Sequence, residues 1–485
     1  MKSIIKYVLP ASLLLLAFSC NDFLDTRPNE YADDPLVTSD TISKYNSAAD
    51  AKAELNGAYN NFKADIYQFE NLLFNDVQSD NCYIGGDGFN EEEIDKISVG
   101  SLNSKVKMRW GQYFSMIGTS TNVIENTRMM KTGISETEKQ QIIAEAKWIR
   151  ACAYFDIVRT WGDVPIMNKL IPNITPENLD EVYPLLYPKR QPVNEVYAWM
   201  IKELEEALPY LESKSFGAFR ATKGAACGLL AKIYATEGDK AGRDYQKVID
   251  YCDMVIGENY RLVDNFEDMF NPANNFTAES IFEVDYTTTA GNWAYWVLFS
   301  EEDGTISWRR YCTPTHDLLA KFEDRDKRLA SSVVYKSVPY ETYYPSNHYP
   351  IANKIRAKES NIILMRLADI LLLKAEALTE LGSTREAVEI VNIIRNRAGL
   401  ISLETTKSQA ETRLIVENER QLELLLEGHR WFDLMRNERM IPVMMQHKDK
   451  NGKLLFSSIP EYRKLWPVPQ NEKDTNPNLT QNPGY

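Results

Sequence analysis

The sequence is poor in the residues that most metal and redox sites use. It has four histidines and six cysteines among 485 residues, and no two cysteines stand in a CxxC pattern. Structural zinc sites take four Cys or His ligands at short spacings. The nucleophile and phosphate-loop motifs of common enzyme families are also missing from the sequence. We therefore predict neither a bound metal nor a cofactor.

Clusters of positive charge are also missing. The formal net charge is -14 at pH 7, and lysines and arginines adjoin only in pairs, as at 189–190, 309–310 and 327–328. Binding of nucleic acid needs a basic patch or stripe, so the sequence predicts no nucleic-acid partner. An acidic surface also repels polyanions, which favours neutral ligands.

No apolar run is long enough to cross a bilayer, which takes about 20 residues in a helix. The run at 8–18 is interrupted by Pro10 and Ser12, and it follows Lys2 and Lys6. A positive start, a short apolar run and a small residue before the cleavage point are typical of a secretory signal. We therefore predict that residues 1–19 are a signal peptide.

The residue after this predicted signal is Cys20. The sequence at 17–20, Ala-Phe-Ser-Cys, resembles a bacterial lipobox, although Ala17 stands where Leu is usual. A lipid-modified Cys20 would anchor the chain stably, because two acyl chains hold a protein on a membrane. Residues 20–45 are polar and contain proline, so we expect them to include a tether. The alternative is an ordinary signal followed by an incidental cysteine.

Five cysteines remain once the anchor is set aside, and an odd number cannot all pair. Cys152, Cys227 and Cys252 lie in apolar helical patterns, where we expect them to act as small apolar residues. Cys82 and Cys312 fall in loop-like segments. A disulfide between these two is one alternative for an exported protein, and free thiols are the other.

Apolar residues recur at helical spacing through much of the remaining chain. The pattern predicts helices near 51–62, at 140–160 and at 194–208, the last with Asn194 as its cap. The apolar stretch at 362–378 carries three charged residues. It is therefore predicted to be a core helix and not a membrane span.

Two segments share one spacing of small and apolar residues, which indicates an internal repeat. Cys, Ala, Tyr and Gly within 227–238 are spaced 4, 3 and 4 apart, and Leu, Ala, Leu and Gly within 371–382 match them. The alanine permits close helix packing and the glycine ends the helix. Such pairs are typical of tetratricopeptide-like scaffolds. The aperiodic segments 163–193 and 262–350 are predicted to be loop-rich and to face the ligand.

Several stretches resemble those of one known family, in the same order along the chain. They are CNDFLDTRP at 20–28, EAKWIRACAYFDIVRTWGDVP at 145–165, RLADILLLKAEALTELG at 366–382, VNIIRNRAGL at 391–400, ENERQLELLLEGHRWFDLMR at 417–436 and LWPVPQNEKDTNPNLTQNPGY at 465–485. Together they resemble the SusD/RagB lipoproteins of Gram-negative bacteria, and the resemblance covers the chain from Cys20 to Tyr485.

The resemblance implies a single, mainly α-helical body at 46–485, with tetratricopeptide-like pairs and an irregular part that faces the ligand. It implies an outer-membrane lipoprotein, facing the cell exterior, that binds oligosaccharide or polysaccharide. Such a protein delivers its ligand to a SusC-like TonB-dependent transporter without cleaving it. A peptide-binding protein of the RagB kind stays open as an alternative. A glycan-degrading enzyme, which needs two positioned carboxylates, and a purely structural helical-repeat adaptor are further alternatives.

Sugar binding needs flat aromatic faces and planar polar groups, and two loop-like regions of the sequence offer both. The first contains Asp80, Asn81 and Tyr83, next to a glycine-containing loop at 85–89. The second contributes Trp293, Tyr295, Trp296, Trp308, Arg309 and Tyr311. We predict ligand contacts in these regions, with burial in the core as the alternative for each ring.

Charged residues recur three or four apart in the stretch at 417–436. They are Glu419, Arg420, Glu423, Glu427 and Arg430. Residues at this spacing form ion pairs along a helix, and such networks are common in scaffolds. We therefore predict a structural and not a catalytic role for this set.

If Cys20 carries the anchor, Cys20→Ala should abolish lipid attachment. In cells fed a labelled fatty acid, we expect the wild type to take up the label and to fractionate with membranes. The variant should take up no label, and it should either leave the membranes or keep its signal uncleaved. Cys152→Ala is the matched control and should behave as the wild type does. A Cys20→Ala variant that fractionates with membranes, together with a wild type that stays unlabelled, would contradict the anchor.

Overall fold

The computed structural model describes residues 43–85, 89–214, 217–298 and 312–485, and the chain is mainly helical in these ranges. The mainly α-helical class predicted from the sequence is confirmed. Several sequence predictions lie outside the described residues: the signal at 1–19, the anchor Cys20, nearly all of the tether, and Trp308, Arg309 and Tyr311.

Long helices form most of the structure, and short ones join them. Within the described ranges the α-helices are α1 (Ala48–Asn60), α2 (Phe69–Leu72), α3 (Phe89–Asp95), α4 (Ser104–Met129), α5 (Glu136–Trp161), α6 (Leu179–Leu186), α7 (Val193–Ala207), α8 (Lys223–Tyr234), α9 (Tyr245–Gly257), α10 (Trp293–Leu298), α11 (His316–Leu319), α12 (Arg328–Ser332), α13 (Leu367–Glu380), α14 (Thr384–Arg397), α15 (Gln409–Glu423), α16 (Arg430–Arg436), α17 (Met440–Met444) and α18 (Gln470–Thr475). Short 3-10 helices lie at Asn61–Lys63, Leu208–Tyr210, Lys240–Gly242, Phe266–Phe270, Pro272–Asn274 and Glu461–Lys464. A π-helical turn at Leu73–Val77 follows α2.

The strands of the described residues form small antiparallel pairs. They are β1 (Cys82–Tyr83), β2 (Ser280–Val284), β3 (Thr313–Pro314), β4 (Val333–Lys336), β5 (Tyr349–Ala352) and β6 (Ile362–Arg366). β1 pairs with β3, β2 with β6 and β4 with β5. In the first pair Tyr83 lies opposite Thr313, so the pairing brings together two segments that are far apart in sequence.

The predicted helix at 140–160 is confirmed as α5, and its ends follow from local chemistry. Ser135 forms a capping box with Glu138, in which each side chain accepts a hydrogen bond from the other residue's backbone N–H. Gly162 ends the helix at a φ of 72°, a left-handed conformation that glycine adopts without steric cost. Trp148 of this helix is 1% exposed, so its side chain lies in the core.

The two tetratricopeptide-like helix pairs are α8–α9 and α13–α14. Gly238 follows the first helix of one pair at φ 62°, and Gly382 follows the first helix of the other at φ 85°. Both glycines therefore supply the left-handed turn that the sequence repeat indicated. The second helix of the first pair, α9, packs against α13, so the two pairs form adjoining layers.

Two element boundaries differ from the sequence predictions. Residues 362–366 are the strand β6 and not the start of a helix, because they pair along β2 before α13 begins at Leu367. Asn194 is not the cap of α7, which begins one residue earlier, after Pro192. The N–H of Val193 donates instead to Oδ1 of Asp163, at 2.9 Å, so a residue from outside the helix caps it.

One large apolar core runs through the described chain. It takes buried residues from Ala51 in α1 to Leu479 near the C-terminus. Trp431 and Phe432 pack in a smaller neighbouring cluster. Within the described residues no helix is both long and apolar enough to span a bilayer. The assignment of 46–485 to a single body stays a prediction.

The charged residues of 419–430 do not form the predicted ion pairs along a single helix. The helix ends at Glu423, so Glu427 and Arg430 lie beyond it. Glu423 instead accepts hydrogen bonds from Arg366 at 2.6 Å and from Arg328 at 3.3 Å, two residues of other elements. All three side chains are at most 1% exposed.

The remaining members of the set also pair across elements. Glu427 accepts from Arg366 at 2.7 Å and from Lys354 at 2.6 Å. Burial would raise the pKa of Glu427, but these two cations hold it at about 2. Arg420 donates to Asp369 of α13 at 2.9 Å and to Asp433 of α16 at 3.1 Å. The set therefore ties α15 to the elements around it.

Candidate ligand-binding surface

Asp80 lies just before β1, where that strand approaches α15 and α16. Its carboxylate accepts hydrogen bonds from Arg430, at 2.6 Å from Nε and 2.9 Å from Nη2. Gln421 donates a further bond from Nε2 at 3.0 Å. Burial alone would raise the pKa of Asp80, but Arg430 and Lys321 hold it well below its ordinary value. The carboxylate is therefore engaged by the protein itself.

Asn81 is buried and links three segments. Its amide nitrogen donates to Oδ1 of Asp76 at 2.7 Å, and its amide oxygen accepts from Gln421 at 2.8 Å. Its backbone carbonyl accepts from the N–H of Thr315, at 2.9 Å. Burial raises the pKa of Asp76 to about 6. These contacts support a positioning role, and direct ligand contact by Asp80 and Asn81 stays a prediction.

The Tyr83 ring is held between two other aromatic rings. It stacks on Tyr343 with ring centroids 4.4 Å apart and an interplanar angle of 15°. His447 lies on it at 5.8 Å and 24°. The Tyr343 hydroxyl donates to the carbonyl of Ile84 at 2.5 Å. This bond fixes the Tyr343 ring to the residue that follows β1. Tyr83 itself is only 3% exposed, so ligand access to its ring is small.

More accessible rings continue from this stack. The exposed His316 ring lies 6.3 Å from Tyr83 and 4.1 Å from the half-buried Tyr344. Tyr344 donates its hydroxyl to the carbonyl of Pro314 at 2.8 Å. We name the set Tyr83, His316, Tyr343, Tyr344 and His447 the Tyr83 cluster. It presents ring faces and edges together with hydroxyl and imidazole groups.

The other four members of the Tyr83 cluster are not among the residues predicted from the sequence. One signal was available, because 340–349 reads YETYYPSNHY, an unusual density of aromatic residues in a loop-like segment. Nothing in the sequence placed His447 there, since that contact depends on the chain returning from beyond α17.

Trp293 lies at the start of α10, so the prediction of a segment without helical structure is wrong at this point. Its backbone N–H donates to Oε1 of Gln68 at 2.6 Å, which fixes the helix start against the chain before α2. The residue is 44% exposed. The other tryptophans whose side chains the structure describes are buried or half-buried. Trp293 is therefore the accessible indole of the described surface.

The structure describes the side chain of Tyr295 but not that of Trp296. Tyr295 is half-buried and packs against the main core. Trp296 belongs to the same helix, but its side chain lies outside the description. Simultaneous presentation of both indoles therefore stays a prediction, as do ligand contacts by Trp308, Arg309 and Tyr311.

A cavity of about 120 Å³ lies between α5, α8, α13 and α16. Its lining includes Trp148, Lys232 and His429. Burial lowers the pKa of His429 to about 4. Lys232 pairs with Asp369 and Arg420 pairs with Asp433. The charges at this cavity are therefore used in holding the helices together.

Cysteine and metal chemistry adds little to the site. Cys82 and Cys312 are both buried, and both are free thiols in the structure. The Cys82 thiol donates a hydrogen bond to Cys312, and burial together with this neighbour raises the pKa of Cys82. Of the two alternatives, the structure therefore has the free thiols. In the part of the chain that the structure describes, no three His, Cys, Asp or Glu side chains are grouped to hold a metal.

Two family models match the chain, one toward each end. A model described as "Starch-binding associating with outer membrane" matches residues 22–235. A model of the SusD family matches residues 339–485. The two matches together include most of the chain and both ends of the described helical body.

Individual relatives match over greater lengths. SusD-like protein P2 of Formosa agariphila is 27% identical, over 98% of this chain and 98% of its own length. The starch-binding protein SusD of Bacteroides thetaiotaomicron is 22% identical, over 73% of this chain and 74% of its own length.

Solved structures share the fold. A SusD superfamily protein from Parabacteroides distasonis matches with a TM-score of 0.76 at 23% identity, over 91% of this chain and 100% of that protein. Surface glycan-binding protein A of Bacteroides thetaiotaomicron, in complex with laminarihexaose, matches with a TM-score of 0.74 at 20% identity. That match covers 90% of this chain and 99% of that protein.

If Asp80 holds the strand in place, Asp80→Asn should destabilise the protein. Removing the anion leaves the positive charge of the buried Arg430 guanidinium without its carboxylate partner. We therefore expect the free energy of unfolding, measured in urea, to fall by about 3 kcal/mol. Because the pKa of Asp80 is lowered in the folded state, its contribution is present above the ordinary pKa and is lost as the pH falls below it.

The matched control for Asp80→Asn is Asp253→Asn. Asp253 is paired with Lys374, but its side chain is 51% exposed, so its loss should cost less than about 1 kcal/mol. Equal stability of the Asp80 and Asp253 variants, with ligand binding lost only in the first, would show that Asp80 serves the ligand and not the fold.

Proposed function

Because the chain belongs to the SusD/RagB family, we propose that it binds oligosaccharide or polysaccharide at the bacterial surface and does not cleave it. The proposal draws on relatives of two kinds: one is named as a starch-binding protein, and another is a glycan-binding protein in complex with laminarihexaose. The net charge of -14 favours a neutral glycan over an anionic one.

The exposed indole of Trp293 carries this proposal. The residue is 44% exposed, and an indole offers a flat apolar face of the kind that stacks on a pyranose. The exposed Thr287, Thr289 and Asp285 precede it, and their oxygens can bond sugar hydroxyls. We infer that Trp293 stacks on a sugar ring, and the Tyr83 cluster is a second candidate contact surface.

The state of the nearby carboxylates supports binding without cleavage. Glycoside hydrolysis needs two positioned carboxylates, and Asp76 and Asp80 are one pair that occurs by chance among the 69 Asp and Glu residues. Asp76 accepts from Asn81 and from the N–H of Gly428, at 2.7 and 2.9 Å, and Asp80 is paired with Arg430. Each is held by structural partners inside the protein, so we assign neither an acid nor a nucleophile role.

We also propose the cellular setting. The family description of association with the outer membrane, together with the lipobox-like sequence at Cys20, supports a lipid-anchored protein that faces the cell exterior. In that position the chain would pass its glycan to a SusC-like TonB-dependent transporter. A peptide ligand of the RagB kind remains the alternative that a binding experiment would detect.

The test is Trp293→Ala in the purified protein, assayed on laminarin, starch, other neutral glycans and a peptide pool. Loss of a stacking aromatic should weaken glycan binding about thirty-fold, equivalent to about 2 kcal/mol. The melting temperature should change little, because the ring faces solvent. Long incubation of the wild type with the bound glycan should release no new reducing ends.

Trp148→Ala is the matched control for Trp293→Ala. Its indole is 1% exposed, so truncation should lower the free energy of unfolding by about 3–5 kcal/mol. Should Trp293→Ala melt early as Trp148→Ala does, or bind glycan as tightly as the wild type, Trp293 is not the ligand contact. Binding of peptides alone would favour the RagB-like alternative.

A further inference from the structure

Two phenylalanine rings stand exposed side by side on the surface. Phe219 is 48% exposed and Phe276 is 38% exposed, and their ring centroids lie 5.8 Å apart at an interplanar angle of 68°. Neither ring is a member of the apolar core clusters of the described residues. Burial of two such rings would stabilise the fold, so their exposure is not explained by folding.

The backbone beside each ring has a positive φ, but only that of Phe276 is costly. Phe276 has a φ of 61°, the left-handed region that a bulky side chain rarely adopts. Gly217, just before the other ring, has a φ of 109°, and a Cβ there would lie 2.6 Å from Cε1 of Phe219. The strain is therefore confined to Phe276, and Gly217 is the residue that leaves room for the Phe219 ring.

One buried residue fixes the two rings relative to each other. Glu283 of β2 is 2% exposed, and its carboxylate accepts the N–H of Phe276 at 3.0 Å. Its own backbone N–H donates to the carbonyl of Ala218, the neighbour of Phe219, at 2.8 Å. The side chain of Asn361 donates to the same carboxylate at 2.9 Å. The pair is therefore anchored to β2 and is not a loose loop.

One turn of the chain, which contains Lys358 and Glu359, bonds to the segments that carry Trp293 and Phe276. The carbonyl of Lys358 accepts the N–H of Asn292, at 2.6 Å, next to Trp293. The carbonyl of the following residue, Glu359, accepts the side chain of Asn275, at 3.0 Å, next to Phe276. Two consecutive residues thus link the segment just before Trp293 to the segment just before Phe276.

We propose that Phe219 and Phe276 form a second aromatic subsite for the glycan that Trp293 binds, so that the preferred ligand is a polymer and not a short oligosaccharide. The inference rests on the proposed function. A chain that reaches both subsites gains the second contact at high effective concentration, because the first contact already holds it in place. Exposed polar residues of 285–289 lie beside this path and suit a hydroxylated ligand.

The experiment compares a polymer with its own disaccharide, using the polymer that binds most tightly among laminarin, starch and the other panel glycans. Phe276→Asn removes the ring and keeps a residue that tolerates the left-handed backbone. We expect about a ten-fold loss of polymer affinity, unchanged disaccharide affinity and a melting temperature at or above that of the wild type. Trp293→Ala should weaken binding of both ligands.

Tyr183→Ala is the matched control, since Tyr183 is 44% exposed and its ring also lies against another, Tyr187, at 4.9 Å. It belongs to α6 and should leave both affinities unchanged. Polymer affinity that survives Phe276→Asn would overturn the subsite and leave the pair to a protein partner. A wild type that binds no glycan would overturn the proposed function together with the subsite.

Discussion

Buried arginine–carboxylate pairing around α15 is the interaction on which the described structure most depends. Glu423 is completely buried and receives guanidinium groups from β6 and α12, while Arg420 bridges α13 and α16. Taking charges out of water costs several kcal/mol per ion, and only good geometry and complete pairing offset that cost. Each charge must therefore find its partner on another element, which restricts how those elements can pack.

Arginine–carboxylate pairing also holds the strand that carries the candidate ligand surface. Arg430, at the start of α16, binds Asp80 just before β1, and Gln421 of α15 bonds both Asp80 and Asn81. β1 carries Tyr83 into its stack with Tyr343. The scaffold thus positions β1 and its aromatic residue through short polar contacts, and ligand contact by Asp80 and Asn81 stays a prediction.

The helical part could be predicted from the sequence because its signals are local. Periodicity and a capping box define α5, and Gly238 and Gly382 mark the ends of repeated helices. The ion pairs could not be predicted. A spacing of three or four residues along 419–430 fits ion pairs along one helix, and it fits contacts to other elements equally well. Residues 362–366 likewise suit a buried strand or a buried helix, because both are apolar.

The candidate site was only partly predictable for the same reason. Trp293 could be identified, because a tryptophan in an aperiodic segment has no apolar stripe to join. Its helical backbone was missed, since six residues are too few to show a period. The Tyr83 cluster and the Phe219–Phe276 pair are assembled from segments far apart in the chain. No single-sequence pattern brings such residues together.

The most direct test of glycan capture is a crystal structure of the protein with a bound oligosaccharide of the polymer it prefers. We expect one sugar ring to stack on the Trp293 indole, with intact glycosidic bonds and the chain directed toward Phe276. A glycan bound elsewhere on the protein with Trp293 free of contact, or a ligand cleaved in the crystal, would contradict the assignment of this surface to glycan capture.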